Sequence, residues 1–353
     1  MEAIILLRET LRPHLGWHGA RLAFVAAFLI ALFRVKTVNL SELAIGFRGK
    51  AAAESHYKRL QRCFRTFELD YDEIAKTVVK LMNIPEPWVL SCDRTQWQYG
   101  DTTFNILMLA VVHQGVAIPL VWTMLETEGN SNTLERSRLF NRYLVLFGER
   151  QIDCLTAERE FVGGEWFGYL QRQPRTPFRI RIRKNTLLHD GYRDLRADIC
   201  FQDLQPGQTK ILSKRRRIWG YWLYIAALRL DDGELLIVAT SSAPESAISD
   251  YAKRWGIETL FGCFKTRGFC LESTHFNQPE RLSKLIALLA LAMCWAILSG
   301  SWLNLLKPIK IKKHGRMARS IFRSGLDFLR HTFLDLDLNA GNFSKALSFL
   351  SCT

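Results

Sequence analysis

Asp250-Tyr251-Ala252-Lys253-Arg254-Trp255-Gly256-Ile257-Glu258-Thr259-Leu260-Phe261-Gly262-Cys263-Phe264-Lys265-Thr266-Arg267-Gly268 is the stretch on which the reading of this chain turns. It follows a loop signal, Ser241-Ser242-Ala243-Pro244-Glu245, in which a proline at the first helical position sacrifices no backbone hydrogen bond. A helix is expected to start there and to run through the stretch. At about 100° per residue, Tyr251, Arg254, Glu258 and Lys265 then fall within a stripe roughly 60° wide. One face carries a phenol, a guanidinium, a carboxylate and an ammonium. Arg and Glu at this spacing also serve as an ordinary ion pair on a solvated face, so spacing alone leaves both readings open.

Composition narrows the partner. A chain of 353 residues can bury a large core and is expected to divide into more than one domain. Its 48% hydrophobic and 23% charged content is globular and excludes wholesale disorder. Lys+Arg of 48 against Asp+Glu of 34 leaves a net charge of +14, which favours a polyanion, nucleic acid first and an acidic membrane second. The apolar runs Leu22 to Phe33 and Leu285 to Leu298 are shorter than the roughly 20 residues a membrane span needs, and read as buried core helices. The first also lies too far inside a weakly charged N-terminus to be a signal peptide, so a soluble, untargeted protein with no membrane partner is expected. The eight cysteines form no Cys-x-x-Cys pair and sit mostly in apolar surroundings, which reads as buried thiols in a reducing compartment. Cys270 and His275 lack a second pair that would complete a zinc site.

Tyr251, two residues, Arg254, three residues, Glu258, six residues, Lys265, with Trp255 after the arginine, resembles the Tyr-Arg-Glu-Lys signature of bacterial insertion-sequence transposases of the insertion sequence 4 family. The resemblance implies an RNase H-like fold in which Glu258 is the third of three metal-binding carboxylates and the other two sit on strands. It implies Mg²⁺ as cofactor, with Mn²⁺ able to substitute, and a bacterial cytoplasmic protein acting at the nucleoid. It implies the element's terminal inverted repeats and target DNA as partners, and a homodimer in the synaptic complex. Tyr251, Arg254 and Lys265 would hold phosphates near the cleavage site.

Taken in order, residues 1–84 read as a helical DNA-binding region. Asn39-Leu40-Ser41-Glu42 offers a cap, Arg48-Gly49-Lys50 a break, and Ala52 to Phe67 a second helix carrying Lys58, Arg59, Arg62 and Arg65 mostly on one side. Those bases suit phosphate contact in a helix-turn-helix, and equally a solvated basic face. Residues 85–184 read as the first part of the catalytic core. A short buried strand from Trp88 ends in Asp93, and two more antiparallel strands follow at Asn105 to Val112 and Val116 to Trp122. A helix over Thr133 to Phe147, a strand over Ile152 to Thr156, a helix from Gly164 to Gln173 and a strand over Phe178 to Arg183 complete a mixed α/β sheet. The ends of the first and fourth strands should be neighbours, so Asp93 and the acid near Ala157-Glu158-Arg159-Glu160-Phe161 should meet there. Acids at apolar strand ends need a partner, and a divalent cation is the natural one. The family's usual run is Ala-Asp-Arg-Glu-Phe, and Glu158 stands where its aspartate should be. The extra methylene shifts the carboxylate by about a bond length against a metal that demands near-ideal octahedral geometry. The residue is compatible with a tolerated ligand or with a disabled copy.

Residues 185–243 exceed a loop and read as a β-rich insertion. In it Lys214 to Arg217 precede Trp219, Tyr221 and Trp222, a pattern suited to gripping phosphates and stacking an unpaired base, or to a half-buried strand. Residues 244–305 return to the core with the signature helix and an apolar helix, Pro279 to Leu305, expected to pack on the sheet. Residues 306–353 form a basic tail that includes Lys310, Arg316 and Arg323. The sequence thus points to a transposase that cleaves element ends, through hairpins, and joins 3′-hydroxyls to target DNA by two-metal phosphoryl transfer. Asp93, Glu158 and Glu258 would be its ligands, and Tyr251, Arg254, Trp255, Lys265, Arg159, Trp219 and the four bases of the second helix its DNA contacts. A DNA-binding descendant without cleavage, and an RNase H-like nuclease without joining, remain as alternatives.

Overall fold

The computed structural model describes residues 2–49, 51–148, 152–172, 175–313, 315 and 317–351. Lys50, Gln173 and Arg316, named above, and Cys352, one of the eight cysteines, lie outside the described residues. Five helices open the chain: α1 (Glu2–Leu11), α2 (Gly19–Val35), α3 (Leu40–Gly46), α4 (Ala53–Thr66) and α5 (Tyr71–Met82). The Asn39 side chain accepts from the N–H groups of Ser41 and Glu42, and Asp70 does the same for Asp72 and Glu73, so the orphan donors of α3 and α5 are met. Helix α2 is buried continuously from Phe24 to Phe33, as an uninterrupted apolar run requires.

Three strands follow: β1 (Trp88–Tyr99), β2 (Thr102–His113) and β3 (Val116–Met124). Asp93 lies in the middle of β1 rather than at its end. What ends at Asp93 is burial, because from Arg94 onward the strand is at least partly exposed. Then come α6 (Thr133–Phe147), opened by a reciprocal cap between Asn132 and Glu135, β4 (Ile152–Ala157), α7 (Gly164–Gln171) and β5 (Phe178–Ile182). The segment expected as an insertion forms β6 (Leu187–His189), β7 (Asp194–Arg196), α8 (Ala197–Cys200), β8 (Thr209–Ile211), β9 (Arg216–Ile218), β10 (Tyr221–Arg229) and β11 (Leu235–Thr240). The chain closes with α9 (Ala247–Ala252), α10 (Trp255–Phe264), α11 (Pro279–Leu306), α12 (Ile321–Leu334) and α13 (Ala340–Ser348).

These elements form two units. The sheet unit holds residues 84–96 and 105–259. Its strands run in the order β3-β2-β1-β4-β5-β11-β10-β9-β6-β7, with β8 on β10, which makes an open mixed α/β sheet of eleven strands. β1, β4 and β5 are parallel neighbours, while β11 joins β5 antiparallel. The strands of the 185–243 segment therefore lengthen the core sheet through β11.

The helical unit holds residues 2–83, 97–104 and 260–351 of the described chain. Its centre is α11. The apolar run that looked too short for a span belongs to a helix of 28 residues, long and apolar enough to cross a membrane, yet 89% of its most apolar window is buried. It packs on α12, α5, α4 and α2. The tightest crossing is with α12, where Gly300 faces Gly325: a Cβ on Gly325 would run into the Ala296 carbonyl oxygen and the Gly300 nitrogen. A helix apolar on every side is satisfied by helices around it, whereas a sheet covers only one side.

Candidate active site

Parallel pairing of β1 with β4 sets the site. The register opposes Cys92 to Ala157, so the residues that follow, Asp93 within β1 and Glu158 just past β4, emerge side by side at the same edge of the central sheet. Each carboxylate is first tied locally: Asp93 Oδ1 accepts from the Arg94 N–H at 2.8 Å, and Glu158 Oε2 from the Arg159 N–H at 3.0 Å. The third acid comes from the opening stretch, but not from one continuous helix. α9 stops at Ala252 and α10 starts at Trp255. Across the break the N–H of Arg254 reaches the Tyr251 carbonyl and that of Ile257 reaches the Arg254 carbonyl, both at 2.9 Å and both three residues back. This tighter turn lets Arg254 point inward, 6% exposed, while Trp255 beside it is 64% exposed. Gly256 permits the approach, since a Cβ there would lie 3.0 Å from Val112 Cγ1 and 3.1 Å from the Ala117 nitrogen.

The Arg254 guanidinium sits among all three acids. Its Nη1 donates to Asp93 Oδ2 at 2.9 Å, and its Nη2 lies 3.3 Å from Glu158 Oε1 and 3.2 Å from Glu258 Oε1. The Tyr251 hydroxyl donates to the same Glu158 Oε1 at 2.5 Å. Burial pushes the Asp93 carboxyl up to about 7, against the pull of Arg254 and the Arg94 N–H, and with Glu258 and Glu160 adding to the rise. Burial acts on Glu158 the same way, but the Tyr251 hydroxyl, the Arg159 N–H, Arg254 and Arg181 outweigh it, and its carboxyl ends below its ordinary value. Burial lowers Arg254, and its tyrosine and carboxylate neighbours more than restore it, so it is held charged.

Of the signature residues, Tyr251, Arg254 and Glu258 are thus brought together with Asp93 and Glu158 in the sheet unit. Lys265 belongs to the helical unit, where its ammonium pairs with Glu272 at 2.9 Å and lies over the Trp97 ring. Arg159 is exposed beside Glu158. On α4, Lys58, Arg62 and Arg65 are exposed, Lys58 pairs with Glu54, and Arg59 lies over the Phe24 ring. Trp219 and Gly220, both at positive φ, form the tight turn between β9 and β10. Trp219 is 39% exposed and meets Phe167 edge-on, beside an open cavity of about 530 Å³ that Leu187, His189 and Arg217 also line. Cys270 is exposed and the His275 ring stacks on Tyr99. Burial pushes the Cys63, Cys154 and Cys263 thiols up to about 12, as expected of inert thiols.

Sequence reasoning missed the arginines of β5. Arg181 approaches Glu158 at 3.7 Å and also binds Glu234 at 2.6 Å, and the buried Arg179 reaches Asp250 at 3.4 Å and Thr240 Oγ1 at 2.8 Å. Arg179 and Arg181 alternate with apolar residues, and two arginines on one face of a buried strand are themselves a signal of acids waiting there.

Among the described residues, no three acids, cysteines or histidines stand close enough to share an ion as arranged, because Asp93, Glu158 and Glu258 are spaced around a guanidinium. Their chemistry nevertheless fits a divalent cation. All three offer hard carboxylate oxygens, the donors Mg²⁺ prefers. Counting Glu234, four carboxylates share two guanidinium groups.

No match was found among curated proteins. A solved cryo-EM structure of a piggyBac transposase synaptic complex with hairpin DNA is similar at 11% identity and a TM-score of 0.45, over 99% of this chain and 83% of that one. The family model of the transposase DDE domain matches residues 91–295, more than half of the chain and a span that includes all three acids; the chain belongs to that family and is a DDE transposase.

Proposed function

We propose that this chain is the transposase of a bacterial insertion sequence of the insertion sequence 4 type, working by cut and paste in the cytoplasm. It cleaves the element's ends and joins the freed 3′-hydroxyls to target DNA, two copies acting together on the paired ends. The observation that carries this reading is the convergence of Asp93, Glu158 and Glu258 with Tyr251 and Arg254 at one edge of the sheet, from three separate parts of the chain. Asp93, Glu158 and Glu258 would hold Mg²⁺ or Mn²⁺, which when bound supplies activation of the attacking oxygen and charge stabilisation of the leaving one. The chain's own groups do the rest. Arg254 and the Tyr251 hydroxyl are suited to phosphate oxygens, and the basic surface of α4 to the duplex backbone. Trp255 and Trp219, both exposed, offer ring faces for a base turned out of a hairpin.

The test is divalent-metal-dependent cleavage of the DNA flanking the gene, with Glu258→Ala as the blank and a joining assay on pre-cut ends. Cleavage and joining by the native chain and neither by Glu258→Ala is the expected result; cleavage without joining would make it a nuclease. Glu158 favours a second reading, since its extra methylene places its oxygen on the Tyr251 hydroxyl. Cutting that appears only after Glu158→Asp would mean that the native chain is a disabled, DNA-binding relative.

A further inference from the structure

The most unusual feature of the site is the position of Arg254. A guanidinium meant to meet DNA would be expected at the surface, yet this one is 6% exposed and engages Asp93 Oδ2, Glu158 Oε1 and Glu258 Oε1 at 2.9, 3.3 and 3.2 Å. These three carboxylates are the groups that would hold a divalent cation. A metal ligand presents its lone pairs to the ion at about 2.0–2.1 Å for Mg²⁺, and lone pairs committed to a guanidinium compete with that. Arg254 Nε is buried without a hydrogen-bond partner, so the hydrogen bonds of the side chain come from its two terminal nitrogens, with the Tyr251 ring beneath the guanidinium. The segment bearing it is a tight turn between α9 and α10, not the interior of a helix.

We infer that Arg254 is a built-in counter-ion that occupies the acid cluster in the DNA-free protein, and that a DNA phosphate loads the metal by drawing this guanidinium away. This rests on the transposase reading and adds to it a rule of order. A guanidinium binds phosphate in the same forked geometry as carboxylate, so a backbone phosphate at the site offers Arg254 an equivalent partner. Once Arg254 turns to the phosphate, three carboxylates lose their shared positive charge and a divalent cation becomes the group that satisfies them. Linkage makes the effect reciprocal: the factor by which DNA tightens metal is the factor by which metal tightens DNA, typically 5- to 150-fold for such coupling. The arrangement keeps a nuclease centre unloaded until substrate is in place.

The experiment measures Mn²⁺ binding by electron paramagnetic resonance at constant ionic strength, with metal bound to DNA alone subtracted and Glu258→Ala identifying the site. The native protein and Arg254→Gln are each titrated with and without a duplex carrying the element's end. The native protein should bind Mn²⁺ weakly alone and about tenfold or more tightly with DNA; Arg254→Gln should bind tightly without DNA and gain little from it. Equal or weaker binding by DNA-free Arg254→Gln overturns the inference. If the glutamine variant folds only with Mn²⁺ present, as seen by a Mn²⁺-dependent melting transition, the counter-ion role is supported. If it does not fold at all, Arg254→Lys decides: it keeps the charge but cannot span three carboxylates, so it should bind Mn²⁺ more tightly than the native chain, and failure to do so overturns the inference. Absence of Mn²⁺ binding by the native protein even with DNA would instead refute the metal-dependent function.

Discussion

Shortening Glu158 to aspartate isolates what its extra methylene does. In the native chain Glu158 Oε1 accepts from the Tyr251 hydroxyl at 2.5 Å. Removing one methylene withdraws the carboxylate by roughly 1.5 Å, one carbon–carbon bond, so the phenol would be left at about 4 Å, beyond hydrogen-bonding range. A hydrogen bond to an ionised group contributes about 1.5–3 kcal/mol. Because the Glu158 side chain is 22% exposed and water can replace part of the loss, the lower end, about 1.5 kcal/mol, is expected. With a urea slope of about 3 kcal/mol/M for a unit of this size, the midpoint should fall by about 0.5 M. Tyr251→Phe removes the same bond from the other side. The double variant should therefore be no worse than the more damaging single one, with a coupling of about 1.5 kcal/mol in urea unfolding followed by tryptophan fluorescence. Additivity within about 0.3–0.5 kcal/mol would show that the two side chains do not meet in solution, and would remove the structural reason for glutamate at this position.

The remaining predictions concern titration, packing and the aromatic turn. Burial holds Asp93 at about 7, above its unfolded value near 3.9, so the folded state carries the extra proton between those limits. Native stability without metal should accordingly fall as pH rises from about 4 to 7, and Asp93→Asn should flatten that slope; urea midpoints at pH 5, 6, 7 and 8 decide it. Gly325→Ala puts a methyl into the backbone of α11 at the Gly300 crossing and should cost about 3 kcal/mol or more, read as lost soluble yield and a lower denaturation midpoint. A variant as stable as the native chain would mean that the helices do not cross there. Trp219→Ala should impair hairpin formation more than first-strand nicking on end-labelled DNA, and equal loss of both would deny the exposed ring a part in holding a flipped base.

Much of this was legible in the chain. The alternation and apolar runs of β1, β4 and β5 announced the central sheet, and four residue types at three fixed gaps pointed to a transposase, which the DDE-domain match bears out at that coarser level. Asp93, Glu158, Tyr251, Arg254 and Glu258 were each named by position. What the sequence did not yield came from longer-range physics. A helical period assumed to continue from Tyr251 to Lys265 missed the break at Arg254, where the guanidinium turns to a carboxylate 161 residues away and Gly256 is seated on the β2–β3 hairpin. The neighbours of α11 were not legible either, because a helix apolar on every face needs partners on every face and its own sequence does not name them. The place of the 185–243 strands could not be read locally, because pairing of β11 with β5 is a matter of register between distant segments.

The order in which the chain is made gives the separation of Glu158 and Tyr251 a meaning in time. The two residues are 93 positions apart, and at about 5–20 residues per second a ribosome needs on the order of 5–20 seconds to cover that distance. For that interval β1 and β4 exist without the guanidinium that neutralises their acids, and the edge where Asp93 and Glu158 meet has no reason to close. The strands can pair through their apolar ends, Leu90 against Leu155, while the acidic ends stay in water. Arg254 is therefore made after both strands, and the acidic end of the β1–β4 pair gains its buried guanidinium partner only once the chain has reached residue 254.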